Sequence, residues 1–132
     1  MKAIATAAID STAINYTQNI QTRGFDLVAD EPVESGGQNA GPAPYEYVLA
    51  GLAACTAITL RMYAEHKGWD VGQLHVDLTL LKDREGNTRI ERVLKTNATL
   101  DEEQWAGLLR TAEKTPVTLT LRNGAEIVTE RG

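Results

Sequence analysis

The sequence predicts one α+β domain, and three features carry that prediction. Short apolar runs alternate with polar residues and are joined in pairs by turn residues, the mark of hairpins rather than of regular βαβ units. A long run from Tyr47 to Leu60 is broken only by Gly51, Thr56 and Thr59 and reads as a buried helix. A third segment, opening at Asp101, combines a capping signature with helical apolar spacing. The expected sheets are antiparallel or mixed.

At 132 residues the chain has the length of one domain, residues 1–132. A domain of this size hides roughly two thirds of its unfolded surface, so it needs neither disulfide nor metal to fold. The net charge is −5, from 18 acidic and 13 basic residues. Basic residues are scattered and form no stripe interleaved with aromatics, so no nucleic-acid partner is expected. The single cysteine excludes an intrachain disulfide. Met1–Thr6 leads into no long apolar stretch before Asp10, which does not read as a secretory signal. A lone thiol then predicts a reducing, cytoplasmic setting. The Tyr47–Leu60 run is shorter than the about 20 residues a bilayer requires, so it is expected to lie inside protein, with no membrane partner.

The first thirty residues read as two or three strands: Ala3 to Asp10, Asn15 to Gln21 and Phe25 to Ala29, with turns near Asp10-Ser11 and Arg23-Gly24. From Asp30 to Pro44 the chain is dense in Pro and Gly and forms a loop, serving either as a linker or as part of a functional site. Pro44 suits the first turn of a helix and Glu46 suits its positive end. The helix should run to about Lys67 and stop at Gly68. One small subunit offers limited cover for so apolar a helix, which points to a dimer.

Leu74, Val76, Leu78 and Leu80 alternate with His75, Asp77 and Thr79 as a half-buried strand. Glu85-Gly86-Asn87 turns the chain, and Arg89 to Ala98 returns as a strand whose poorer alternation leaves the register open. Asp101 and Gln104 form a capping box, and Leu100 with Trp105 a hydrophobic staple. Trp105, Leu108, Leu109 and Ala112 share one helical face. Pro116 ends this helix through its effect on Thr115. Val117, Leu119 and Leu121 then alternate as a strand, Arg122-Asn123-Gly124 turns, and Glu126 to Thr129 forms a last strand.

Few motifs carry chemistry. His66 and His75 have no ligand-like spacing to each other or to Cys55, so no metal is expected. No phosphate-cradling glycine motif and no nucleophile elbow occurs, and no cofactor is expected. Cys55 remains. On the helix it lies between Gly51 and Leu52 one turn back and Ile58 and Thr59 one turn on. On packing alone it is a small core residue. A reactive thiol needs a nearby cation. Mid-helix, Cys55 is too far from the helix N-terminus, and Arg23 is the only arginine before the helix.

The run Gly36-Gly37-Gln38-Asn39-Ala40-Gly41-Pro42-Ala43-Pro44-Tyr45-Glu46, followed by Leu49-Ala50-Gly51-Leu52-Ala53-Ala54-Cys55-Thr56, resembles the OsmC-like family, which includes the organic hydroperoxide resistance proteins. Thr59-Leu60-Arg61-Met62-Tyr63-Ala64, Lys67-Gly68-Trp69 and Arg89-Ile90-Glu91-Arg92 fit a less characterised branch. The resemblance implies an intertwined homodimer, with sheets wrapped around two central helices and active sites at the subunit interface. It implies that Cys55 attacks a hydroperoxide, organised by an arginine from the N-terminal strands, which maps to Arg23, and by a glutamate at the helix start. Glu46 is the nearest glutamate, although Tyr45 occupies the aligned position. Nine residues of helix separate Glu46 from Cys55 by about 13.5 Å and place them on roughly opposite faces. Peroxidase members also carry a second cysteine before the proline that ends the second helix, where this chain has Thr115.

Two functions follow from the resemblance. The first is reduction of organic hydroperoxides by Cys55 alone, with an external thiol as reductant. The second is a non-enzymatic module that binds a small apolar ligand or senses redox state through the same thiol.

Overall fold

The computed structural model describes all residues, 1–132. The chain divides into two compact units, Met1–Val48 and Leu49–Gly132. Elements run in the order β1 (Ala8–Ser11), β2 (Gln18–Thr22), β3 (Phe25–Ala29), α1 (Pro44–Lys67), β4 (Leu74–Lys82), β5 (Thr88–Thr96), α2 (Glu102–Ala112) and α3 (Pro116–Asn123), with a 3-10 turn at Val33–Ser35. This is the expected α+β class, and both sheets are purely antiparallel.

In the first unit, β1, β2 and β3 form a meander with β2 in the centre. The β2–β3 turn sits at Arg23-Gly24, where Arg23 has φ 46° and Gly24 φ 80°. The loop after β3 is tightly built. The Asp30 carboxylate, 2% exposed, accepts hydrogen bonds from the amides of Glu31 (2.8 Å), Gln38 (3.2 Å) and Ala40 (3.2 Å) and from the Thr17 hydroxyl (2.9 Å). Backbone bonds from Asn39 N–H to the Glu31 carbonyl and from Asp30 N–H to the Pro42 carbonyl close the loop on itself. A Cβ on Gly37 would stand 2.0 Å from the Glu31 carbonyl oxygen, so only glycine permits this closure. At the loop's end Glu46 Oε1 accepts from Ala43 N–H at 2.8 Å, capping the start of α1.

The second unit is built on α1. Leu52, Thr56, Leu60 and Ala64 form its buried stripe, spaced one turn apart. Leu60 and Ala64 join Val71, Leu108 and Ala112 as the core, flanked by Tyr63, Trp69, Leu74, Leu94 and Leu100. The capping box at Asp101 and Gln104 is formed in both directions. Gly107 lets α2 close on α1, since a Cβ there would meet the Tyr63 hydroxyl at 2.7 Å and the Trp69 ring at 3.2 Å. Leu109, expected inside, is 54% exposed, because the inward face of α2 passes through Gly107, Leu108 and Ala112 instead.

The β4–β5 hairpin settles the open register. Leu78 faces Arg92, Val76 faces Leu94 and Leu80 faces Ile90. Ile90, Arg92 and Leu94 thus alternate toward one side, while Glu91, Val93 and Lys95 are exposed.

Two expectations for the C-terminal segment fail. Val117, Leu119 and Leu121 are helical, not extended, because Pro116 both stops α2 and opens α3. Proline at the first helical position is pre-set for a helix. Thr115 caps it, its side chain accepting from Thr118 N–H, and Leu119 N–H reaches the Thr115 carbonyl at 3.0 Å. Residues Glu126 to Thr129 form no strand, and Ile127 and Val128 are 87% and 81% exposed. As expected of one small subunit, the apolar helix is only partly covered: within this unit Gly51, Ala54, Ile58 and Met62 are exposed. At 24 residues α1 exceeds the apolar run and meets the length and composition of a membrane span. Its buried stripe nevertheless packs against the unit's own α2 and loop residues.

Candidate active site

Cys55 lies mid-helix in α1, half-buried, with its Sγ 3.9 Å from the Thr59 hydroxyl one turn on. Between Gly51 and Thr59 the helix carries no charged side chain. The next residue, Thr56, is fully buried and donates its hydroxyl proton to the Leu52 carbonyl at 2.7 Å, leaving the oxygen free to accept.

Arg92 Nη1 donates to that oxygen at 2.9 Å. Arg92 comes from β5, in phase with the apolar residues Ile90 and Leu94, and its side chain is only 14% exposed. Nη1 also donates to the Thr118 hydroxyl at 2.9 Å, and Nη2 to the Ala112 carbonyl at 2.8 Å. One guanidinium thereby ties together α1, the end of α2 and α3. Its hydrogen-bond acceptors are neutral. The nearest carboxylate, Glu113, is 4.0 Å away and already holds Arg122 at 2.7 Å.

Burial pushes the Arg92 guanidinium below its ordinary pKa, opposed by Glu113, reinforced by Arg122 and opposed again by Cys55. An arginine nevertheless stays charged in proteins. Thr115, fully buried, shares a 2.7 Å hydrogen bond with the Thr118 hydroxyl in the same cluster.

The other anticipated site residues belong to the first unit. Arg23 stacks its guanidinium over the Phe25 ring at 5.1 Å in the β2–β3 turn. Glu46 is occupied with the Ala43 amide, and Tyr45 is 53% exposed. An open pocket of about 380 Å³ in this unit is walled by Tyr16, Gln18, Asp30, Ser35 and Pro44, and none of the anticipated residues lines it. Sequence reasoning missed Arg92 because it looked for a cation before the helix. The available signal was an arginine flanked at two-residue spacing by Ile90 and Leu94.

The sequence profile of the OsmC-like protein family matches residues 36–130. The chain belongs to the OsmC-like family. No curated protein matches it. Among solved structures, this OsmC-like chain is similar to an osmotic stress induced and detoxification response protein of Psychrobacter arcticus, at 15% identity and a TM-score of 0.78, covering 91% of this chain and 90% of that one. It is similar to an organic hydroperoxide resistance protein of Legionella pneumophila, at 20% identity and TM-score 0.68, with coverage of 91% and 90%. A further match is the organic hydroperoxide resistance protein OhrB of Bacillus subtilis, at 23% identity and TM-score 0.64, with 91% of each chain covered. At these identities the likeness is one of fold.

Proposed function

We propose that this OsmC-like protein reduces organic hydroperoxides through Cys55. The observation that carries the reading is a half-buried thiol midway along α1, in a family whose members include organic hydroperoxide resistance proteins. The Cys55 thiolate attacks the distal oxygen of the hydroperoxide. An S–O bond forms, the O–O bond breaks, and the alkoxide leaves and takes a proton from water. The product is Cys55 sulfenic acid and an alcohol. A low-molecular-weight thiol then attacks the sulfenic sulfur, releasing water and forming a mixed disulfide. A second such thiol frees the Cys55 thiolate as a disulfide of the reductant.

An external reductant is needed because the chain has no second cysteine, and Thr115 spends its hydroxyl on Thr118. Arg23 and Glu46 enter this reading as organising residues on the strength of the family resemblance. A homodimer is part of it: a second copy would cover the apolar face Gly51, Ala54, Ile58 and Met62 of α1. The protein would then work in the cytoplasm.

The test is consumption of cumene hydroperoxide by the purified protein with a dithiol present. The expected outcome is turnover that Cys55→Ser abolishes. Equal rates for the two proteins would sink the enzymatic reading. Thr115 in place of a second cysteine favours the alternative of a ligand-binding or redox-sensing module. A co-purifying lipophile in native mass spectrometry, without turnover, would select it.

A further inference from the structure

The open cavity of about 380 Å³ in the first unit has walls that the chemistry at Cys55 does not use. Its charged walls are Asp30 and Glu31, and no Lys, Arg or His lines it. Neither carboxylate forms an ion pair. The hydrogen bonds on Asp30 are unevenly shared. Oδ2 accepts from the Thr17 hydroxyl and from the amides of Gln38 and Ala40, whereas Oδ1 accepts only from the Glu31 amide. A carboxylate oxygen offers about two acceptor positions. Oδ1 of this residue, 2% exposed, therefore keeps one in reserve. The half-buried Glu31 carboxylate and the Ser35 hydroxyl make no hydrogen bond at all.

The rest of the wall is apolar or already satisfied. Gln18 donates to the Tyr16 carbonyl at 3.2 Å and accepts from the Ser11 hydroxyl at 3.0 Å. Pro44 adds a saturated ring and Tyr16 an aromatic one. The Tyr16 ring lies against Gly36, where a Cβ would stand 3.1 Å from its Cε2. An aromatic face, a hydrocarbon wall and spare anionic acceptors together suit an organic cation. A bare metal ion fits poorly. No group of three or more His, Cys, Asp or Glu side chains is placed to hold one, and hydrocarbon walls contribute nothing to its oxygen shell. An anion would meet two carboxylates that no cation compensates.

We propose that this cavity binds a primary alkylammonium ion. The three N–H donors of the ammonium are matched by Glu31, Ser35 and Asp30 Oδ1, and its alkyl chain lies along Tyr16 and Pro44. This binding function goes beyond the reduction of hydroperoxides. It uses none of Cys55, Arg23 and Glu46, so it fails or holds independently of that reading.

The test is titration of the full chain with n-butylammonium chloride at constant ionic strength, followed through backbone amide NMR shifts. Saturable shifts should centre on residues 16–18 and 29–35, with a dissociation constant in the millimolar range expected of so small a ligand. n-Butanol, which has the chain without the charge, should bind at least about fivefold more weakly. Glu31→Gln, at a side chain without hydrogen bonds, should weaken butylammonium about threefold and leave butanol unchanged. Tyr16→Leu should weaken it about two- to fivefold through loss of the aromatic face. Glu103→Gln in the second unit removes the same charge and should change nothing, which separates the cavity from general attraction to a chain of net charge −5.

No saturable shift at these residues overturns the proposal. So does equal affinity for butanol and butylammonium, or equal weakening by Glu31→Gln and Glu103→Gln. Unchanged affinity in Tyr16→Leu overturns it as well. If Tyr16→Leu does not fold, the Glu31→Gln and butanol comparisons decide alone.

Discussion

Each of the two units buries a charged side chain, and the two solve the problem with opposite signs and different reach. Asp30 in the first unit is an anion held by three backbone amides and one hydroxyl. Three of those four donors lie within ten residues of it, so Asp30 organises its own loop. Arg92 in the second unit is a cation whose acceptors lie 20, 26 and 36 residues away along the chain. It joins separate elements. A buried charge with local partners builds a loop. One with distant partners builds a junction.

The largest effect should come from breaking the Asp30 loop where it has no room. Gly37→Ala places a methyl 2.0 Å from the Glu31 carbonyl oxygen, a backbone atom that cannot yield cheaply. We expect a loss of about 3 kcal/mol, at the upper end of overpacking costs, measured by denaturant unfolding. A change within about 0.5 kcal/mol, as for an ordinary surface site, would show that the loop has another arrangement.

Next is the charge itself. Burial raises the pKa of Asp30, but the hydrogen bonds from Glu31, Thr17, Ala40 and Gln38 outweigh this and leave it lowered. A lowered native value means the ionised form stabilises the fold above the unfolded value of about 3.9. That contribution is lost as pH falls through the lower, native value. Asp30→Asn should therefore melt earlier than the parent at neutral pH, with the gap narrowing in acid. Asp77, lowered by Lys95 and His75, and Asp83, lowered by Asn87, are shifted in the same direction and remain in the variant as an internal reference. A gap independent of pH would assign the Asp30 effect to shape rather than charge.

In the second unit the corresponding steric test is milder. Gly107→Ala meets the end of the Tyr63 side chain and the edge of the Trp69 ring, which can shift, so about 1–3 kcal/mol is expected. Smallest is Thr115→Ala. It removes the α3 cap and one hydrogen bond to Thr118, a loss of about 1 kcal/mol in thermal unfolding.

Much of the fold was legible because its signals are local. The α1 limits follow from Pro44 and Gly68, the capping box from Asp101 and Gln104, and the β4 face from two-residue alternation. The failure at Val117–Leu121 is instructive. An alternating pattern of β-branched and apolar residues reads as a strand, but the cap at Thr115 and the proline after it start a helix within the same residues. The Glu126–Thr129 expectation failed for a different reason: a strand needs an edge to pair with, and apolar residues alone do not supply one.

The sequence alone determined the α+β class, the family and Cys55 as the group to watch, because apolar period, capping residues and the Gly/Pro-rich loop are all written within short stretches. Only the tertiary structure showed where Arg92 is anchored. Arg92 reaches Thr56 across 36 residues, through a hairpin register that its own alternation did not reveal. Electrostatic partnership depends on distance in space, and a sequence records distance only along the chain.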